Sequence, residues 1–139
     1  MGTEVTDLGP LSALTHLVRL NLTGTKVEDL SPLSELKTLK ELHLRGTPVS
    51  DLSPVAGLNN LEWLNVNGTK VKELAPLVGL KSLKRLHLIG SEVSDLSPLH
   101  ELASLETLFI DRKTVEPAQI QALTDSLPSL TISRRSPRI

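Results

Sequence analysis

The side chains best equipped for chemistry are four histidines, a recurring column of acids and three serines that each precede proline. An active site needs such groups to converge in a concavity, and His43, His87 and Asp111 are the first candidates. His43 and His87 hold the same position of a unit 22 residues long, two units apart. If each unit contributes one strand, ~4.8 Å per strand separates them by ~9.6 Å, too far for two ligands held ~2.1 Å from one zinc ion. His16 and His100 fall on the opposite side of the unit, and all four read as exposed surface residues. The acids Asp7, Asp29, Asp51, Glu73 and Asp95 recur once per unit. A calcium shell needs several oxygens at one point, whereas this column supplies one per rung, so capping of turn amides is the better reading. Ser31, Ser53 and Ser97 have no histidine placed to activate them, and a chain without cysteine has no thiol nucleophile. The Gly-Thr pairs lack the lysine and the following helix of a phosphate loop. The sequence thus predicts no catalytic residue, no metal site and no cofactor.

Composition describes the body that carries these groups. The chain has 139 residues, 39% apolar and 22% charged, as expected of one globular domain. Thirty leucines against one Trp, one Phe, no Tyr and no Cys make the core aliphatic. Net charge is −1, and three of the 15 basic residues, Arg134, Arg135 and Arg138, lie at the C-terminus, leaving 12 against 16 acids before them. That balance argues against a nucleic-acid partner. No apolar stretch approaches the ~18 residues of a membrane span, and Met1-Gly2-Thr3-Glu4 does not open a signal peptide. Asn21-Leu22-Thr23 and Asn67-Gly68-Thr69 match the glycosylation triplet, a pattern too common to carry weight.

Periodicity decides the architecture. Segments starting at residues 4, 26, 48, 70 and 92 align without a gap on the pattern VxDLSPLxxLxxLxxLxLxGT, and a looser sixth follows from 114. Within a unit, Leu30, Leu33, Leu36 and Leu39 are three apart, while Leu42 and Leu44 are two apart. A step of three would smear the leucines around half of an α-helix, so it fits 3₁₀-like turns. The step of two is a short strand that buries Leu42 and Leu44 and turns Glu41, His43 and Arg45 outward. Ser31-Pro32, Ser53-Pro54 and Ser97-Pro98 read as a hydroxyl N-cap before a proline. Gly24, Gly46, Gly68 and Gly90 close each strand where a positive φ or close approach excludes a β-carbon. Thr25, Thr47, Thr69 and Ser91 follow as a hydroxyl ladder expected to satisfy loop amides. One unit cannot bury its own leucines, so strands must stack in parallel around a shared core, forming a curved α/β solenoid.

The pattern LxxLxxLxLxGTxVxDLSPL resembles the 22-residue leucine-rich repeat of the internalin and SDS22-like class, over residues 4 to 113. Thr25, Thr47, Thr69 and Ser91 stand where that class usually has Asn, a variation associated with bacterial repeat proteins. The resemblance implies a right-handed superhelix with a parallel sheet on the concave face and 3₁₀ or short helical turns on the convex face. It further implies a non-enzymatic module that docks another protein on the concave face. Internalin-like arrays are parts of larger secreted or surface proteins, whereas SDS22-like arrays regulate a protein phosphatase inside cells, which leaves the compartment open between cytoplasm and cell surface.

The chain divides into five repeats over 1–113, a C-terminal cap over 114–132 with a helix over Pro117–Leu127 and a last strand over Leu130–Ile132, and a disordered basic tail over 133–139. The first repeat has only four residues before Val5, so the N-terminal face is expected either to continue in a longer chain or to self-associate. Strand alternation writes out the concave face in three columns. The first is Arg19, Glu41, Trp63, Arg85 and Thr107; the second Asn21, His43, Asn65, His87 and Phe109; the third Thr23, Arg45, Asn67, Ile89 and Asp111. Both aromatic residues lie there, outside the leucine positions. The expected partner-binding set is therefore Arg19, Glu41, His43, Arg45, Trp63, Asn65, Arg85, His87, Ile89, Phe109 and Asp111. Two other functions stay open on the sequence: an intracellular regulator of an enzyme such as a phosphatase, and a structural spacer or consensus-like array with no specific partner.

Overall fold

The computed structural model describes residues 3–111 and 113–134. Five 3₁₀ turns, Gly9–Leu11, Ser31–Leu33, Ser53–Val55, Ala75–Leu77 and Ser97–Leu99, alternate with short strands. The strands are β1 (Arg19–Asn21), β2 (Glu41–His43), β3 (Trp63–Asn65), β4 (Arg85–His87), β5 (Thr107–Phe109) and β6 (Thr131–Ser133), with α1 (Pro117–Ser126) before the last. All pair in parallel in chain order, in a register that sets Leu20, Leu42, Leu64, Leu86, Leu108 and Ile132 side by side. Leu42, Leu64, Leu86 and Leu108 are wholly buried. The result is a repeating solenoid of sheet and turns with a helical C-terminal cap.

The three-residue leucine step has a backbone origin. The N–H of Leu33 donates to Leu30, that of Leu36 to Leu33 and that of Leu39 to Leu36, each at 2.9–3.0 Å. A chain of i→i−3 bonds thus keeps successive leucines on the inner side, where all four are at most 1% exposed. Gly24, Gly46, Gly68 and Gly90 have φ between +66° and +72°. The backbone conformation is what calls for glycine, since a Cβ on Gly90 would make only ordinary contact, 3.4 Å from the Gly68 nitrogen.

Two capping expectations are corrected. The serines do not cap: each 3₁₀ turn starts on the serine itself, the preceding leucine is the N-cap, and no cap hydrogen bond comes from its side chain. The acid two residues before supplies the bond instead, with Asp29, Asp51 and Asp95 accepting from the N–H of Ser31, Ser53 and Ser97 at 2.8–2.9 Å. Asp7 does the same for Gly9. These bonds favour the ionised carboxylate and hold Asp29, Asp51 and Asp95 below the usual aspartate range, with the Ser31 and Ser53 hydroxyls leading at the first two and the Ser97 amide at the third. The threonines form no ladder. Thr25, Thr47, Thr69 and Ser91 each donate to the carbonyl three residues back, at 2.6–2.8 Å. Loop amides are instead paired across rungs, Gly46 to the Asn67 carbonyl for example at 2.9 Å, and among the described residues only the Val71 N–H reaches one of these hydroxyls, that of Thr69, at 3.5 Å.

The ends differ. At the C-terminus α1 packs on the Ser97–Leu99 turn, buries Leu123 and sets the Ser126 hydroxyl in hydrogen-bond contact with His100 Nδ1 at 2.7 Å, so His100 is half-buried and not a free surface residue. β6 ends on Ser133, and residues 135–139 of the expected tail lie outside the described residues. At the N-terminus the first turn buries nothing, and Val5, Leu14 and Val18 are 43–48% exposed.

Candidate interaction face

Because the middle residue of each strand enters the core, the first and third point to the open side of the sheet, in the columns expected from the sequence. Along that side runs a row of rings. His43 meets Trp63 edge-on at 4.7 Å between centroids, Trp63 stacks near His87 at 5.8 Å, and His87 lies 4.3 Å from Phe109. Trp63 stands in the first column and the histidines in the second, one rung to either side, so its indole bridges diagonally between them. The spacing that separates the two histidines from a shared metal ion also makes room for this ring. Among the described residues no group of three His, Cys, Asp or Glu side chains is placed to hold a metal ion.

The row changes the reading of the histidines. His87 is 4% exposed, covered by Trp63 and Phe109, and is the main exception to the expectation of four exposed histidines; His43 is half-buried, and only His16 is open to solvent. Burial, reinforced by the neighbouring charges of His43 and Arg85, lowers the pKa of His87 to about 4, so the ring is neutral at physiological pH. Its Nδ1 and the Nε1 of Trp63 are both buried with no hydrogen-bond partner among the described residues. Phe109, at 8%, is covered by the same row and is not part of the leucine core.

Two hollows adjoin the row and share Trp63 and Arg85. One, of about 440 Å³, runs across five rungs between Val18–Arg19 and Glu106; the other, of about 320 Å³, lies between Trp63, Arg85, His87, Thr107 and Phe109. Arg85 places its guanidinium 5.2 Å from the Trp63 ring centre, within reach of a cation–π contact. Arg19 pairs with Glu41 at 3.2 Å, and Glu41 also approaches His43 Nε2 at 3.8 Å. Asn65 is turned to its own backbone, its Oδ1 accepting the Asn67 N–H at 3.0 Å. Arg45, Ile89 and Asp111 stand one column further along, where Asp111 accepts the Lys113 N–H.

Lys40, Glu62 and Lys84 were not singled out by sequence, yet they line the larger hollow. They occupy the position just before each strand, and the 22-residue register alone would have stacked them. Glu62 lies 3.1 Å from Lys84 and 3.7 Å from Lys40, and the Lys84 hydrogen bond is the main reason its carboxyl titrates below the usual range.

No family model matches the chain, and neither does any curated protein sequence. Solved structures do. Internalin C2 from Listeria monocytogenes aligns with a TM-score of 0.81 and 33% identity, over 93% of this chain and 56% of that one. An internalin, inlF, from the same organism aligns at 0.70 and 24% identity over 97% and 52%, and a leucine-rich-repeat protein of Leptospira interrogans at 0.74 and 23% over 95% and 40%. The last two show the fold alone. The chain spans about half the length of the internalin structures that it matches.

Proposed function

We propose that this chain, an internalin-like leucine-rich-repeat solenoid, is a non-catalytic protein-binding module whose partner docks on the concave face of the sheet. One observation carries the reading: the only Trp and the only Phe in the chain lie together with two histidines on that face, outside an aliphatic core cluster of leucines, valines and Ile110. A core so complete without them leaves recognition as the role of these rings, and Trp and Arg are the residues most enriched at interface hot spots. The centre of the site is Trp63, Arg85, His87 and Phe109, with Arg19, Glu41 and His43 on one flank, Asn65 inside the row, and Arg45, Ile89 and Asp111 on the far column. The likeness to internalins supports a bacterial secreted or surface protein as the source of the module.

The test is site-specific photo-crosslinking in the native cell. A photoreactive residue at Thr107, on the concave face, should capture a discrete partner, and one at Val78, on the turn side, should not. With the partner in hand, Trp63→Ala should weaken binding by at least ~2 kcal/mol with an unchanged circular dichroism spectrum. Unchanged affinity would remove Trp63 from the site.

A further inference from the structure

Charge is divided between the two sides of the solenoid. The concave side carries five basic and four acidic side chains, whereas the rest of the sequence carries ten basic against twelve acidic ones. A net +1 face on a body of net −2 favours the approach of an anionic partner from the concave side. Within that face two of the four carboxylates are already engaged with basic side chains, Glu41 between Arg19 and His43 and Glu62 between Lys40 and Lys84. Arg85 is different. It makes no ion pair among the described residues, it borders both hollows, and the Trp63 ring holds its guanidinium in place. A planar guanidinium fixed on an aromatic surface is ready for two parallel hydrogen bonds to a carboxylate.

Beside it the smaller hollow is walled by three rings, one of them an imidazole that carries no charge at neutral pH. It suits an apolar side chain better than a second charge.

We infer that the partner presents a polypeptide segment with an acidic side chain next to an apolar one, the carboxylate pairing with Arg85 and the apolar group entering the hollow between Trp63, His87 and Phe109. This deepens the proposed function and rests on it.

The probe is a phage-displayed library of random dodecapeptides, selected on the full chain and depleted in each round against Trp63→Ala. Enriched peptides should carry Asp or Glu within three positions of Leu, Phe or Tyr. As synthetic peptides, followed by the emission of the single Trp, they should bind Arg85→Gln at least tenfold more weakly, with Arg85→Lys in between. Arg85 is exposed, so both variants keep the fold, which circular dichroism verifies. Enrichment of neutral or basic peptides, or an Arg85→Gln effect under twofold, would overturn the acidic partner and leave the concave-face reading standing. Failure to enrich any peptide that tells the wild type from Trp63→Ala would overturn both.

Discussion

Substituting His87 by Phe isolates the most unusual electrostatic feature of the molecule. In the unfolded chain the imidazole returns to its ordinary value of 6.5, against about 4 in the native state. Between those values the unfolded chain binds a proton that the folded chain refuses, so stability falls as the pH drops from 6.5 toward 4 and is regained as it rises. A fully shielded group would contribute ~3 kcal/mol over that window, at ~1.4 kcal/mol per pH unit. The ring borders an open hollow, and solvent screening reduces the expected loss to about 1–2 kcal/mol. Phenylalanine keeps the stack between Trp63 and Phe109 and removes the buried, unpartnered Nδ1, so the variant should be at least as stable as the wild type at pH 7. Urea unfolding at pH 7.5 and pH 4.5, followed by Trp63 emission, measures both chains, and the common contribution of every other group cancels in the difference. The wild type should lose the larger part of its midpoint. Equal losses in the two chains would refute the claim that His87 is held neutral by burial.

Other perturbations read the fold. Gly46→Ala and Gly90→Ala should each cost about 1–2 kcal/mol, because both positions have φ near +70°. The two costs should be similar, since the Gly90 Cβ would make only ordinary van der Waals contact with the Gly68 backbone and nothing lies within 4 Å of the one at Gly46; urea midpoints compare the pair. Leu64→Ala, in the wholly buried middle column, should lose about 2–5 kcal/mol by the same assay. Asp51→Ala removes the acceptor of the Ser53 amide. Because that bond lowers the native carboxyl pKa below its ordinary 3.8, the stability difference from wild type should be complete above that value and vanish as pH falls through the lower native one, as acid titration of the midpoint will measure.

Much of this architecture was legible because it repeats. The change from a three-residue to a two-residue leucine step located every turn and strand, and Gly24, Gly46, Gly68 and Gly90 announced their positive φ by recurring at one place. The first two concave columns followed from alternation and stand in the observed register, while the third lies past the strand ends. What escaped was set by neighbours that no single unit contains. His87 is buried by Trp63 and Phe109 from adjacent rungs, a diagonal contact invisible to a rule that only assigns faces. The serine caps failed for a local reason, since the amides that a Ser31 cap would reach, those of Leu33 and Ser34, already donate to the Leu30 and Ser31 carbonyls, and the Ser31 hydroxyl itself donates to Asp29. Lys40, Glu62 and Lys84 went unnoticed because each sits outside its strand and acquires meaning only when stacked into an ion-pair row.

The central claim is that recognition belongs to the concave row of rings. Its most direct test is the amide and indole chemical-shift map of the ¹⁵N-labelled chain with its crosslinked partner or a selected peptide. Shifts should concentrate at the Trp63 indole N–H and along residues 85–87 and 107–109, leaving Ser53–Val55 and Ala75–Leu77 on the turn side unmoved. Shifts confined to those turns, with the Trp63 indole unchanged, would contradict it.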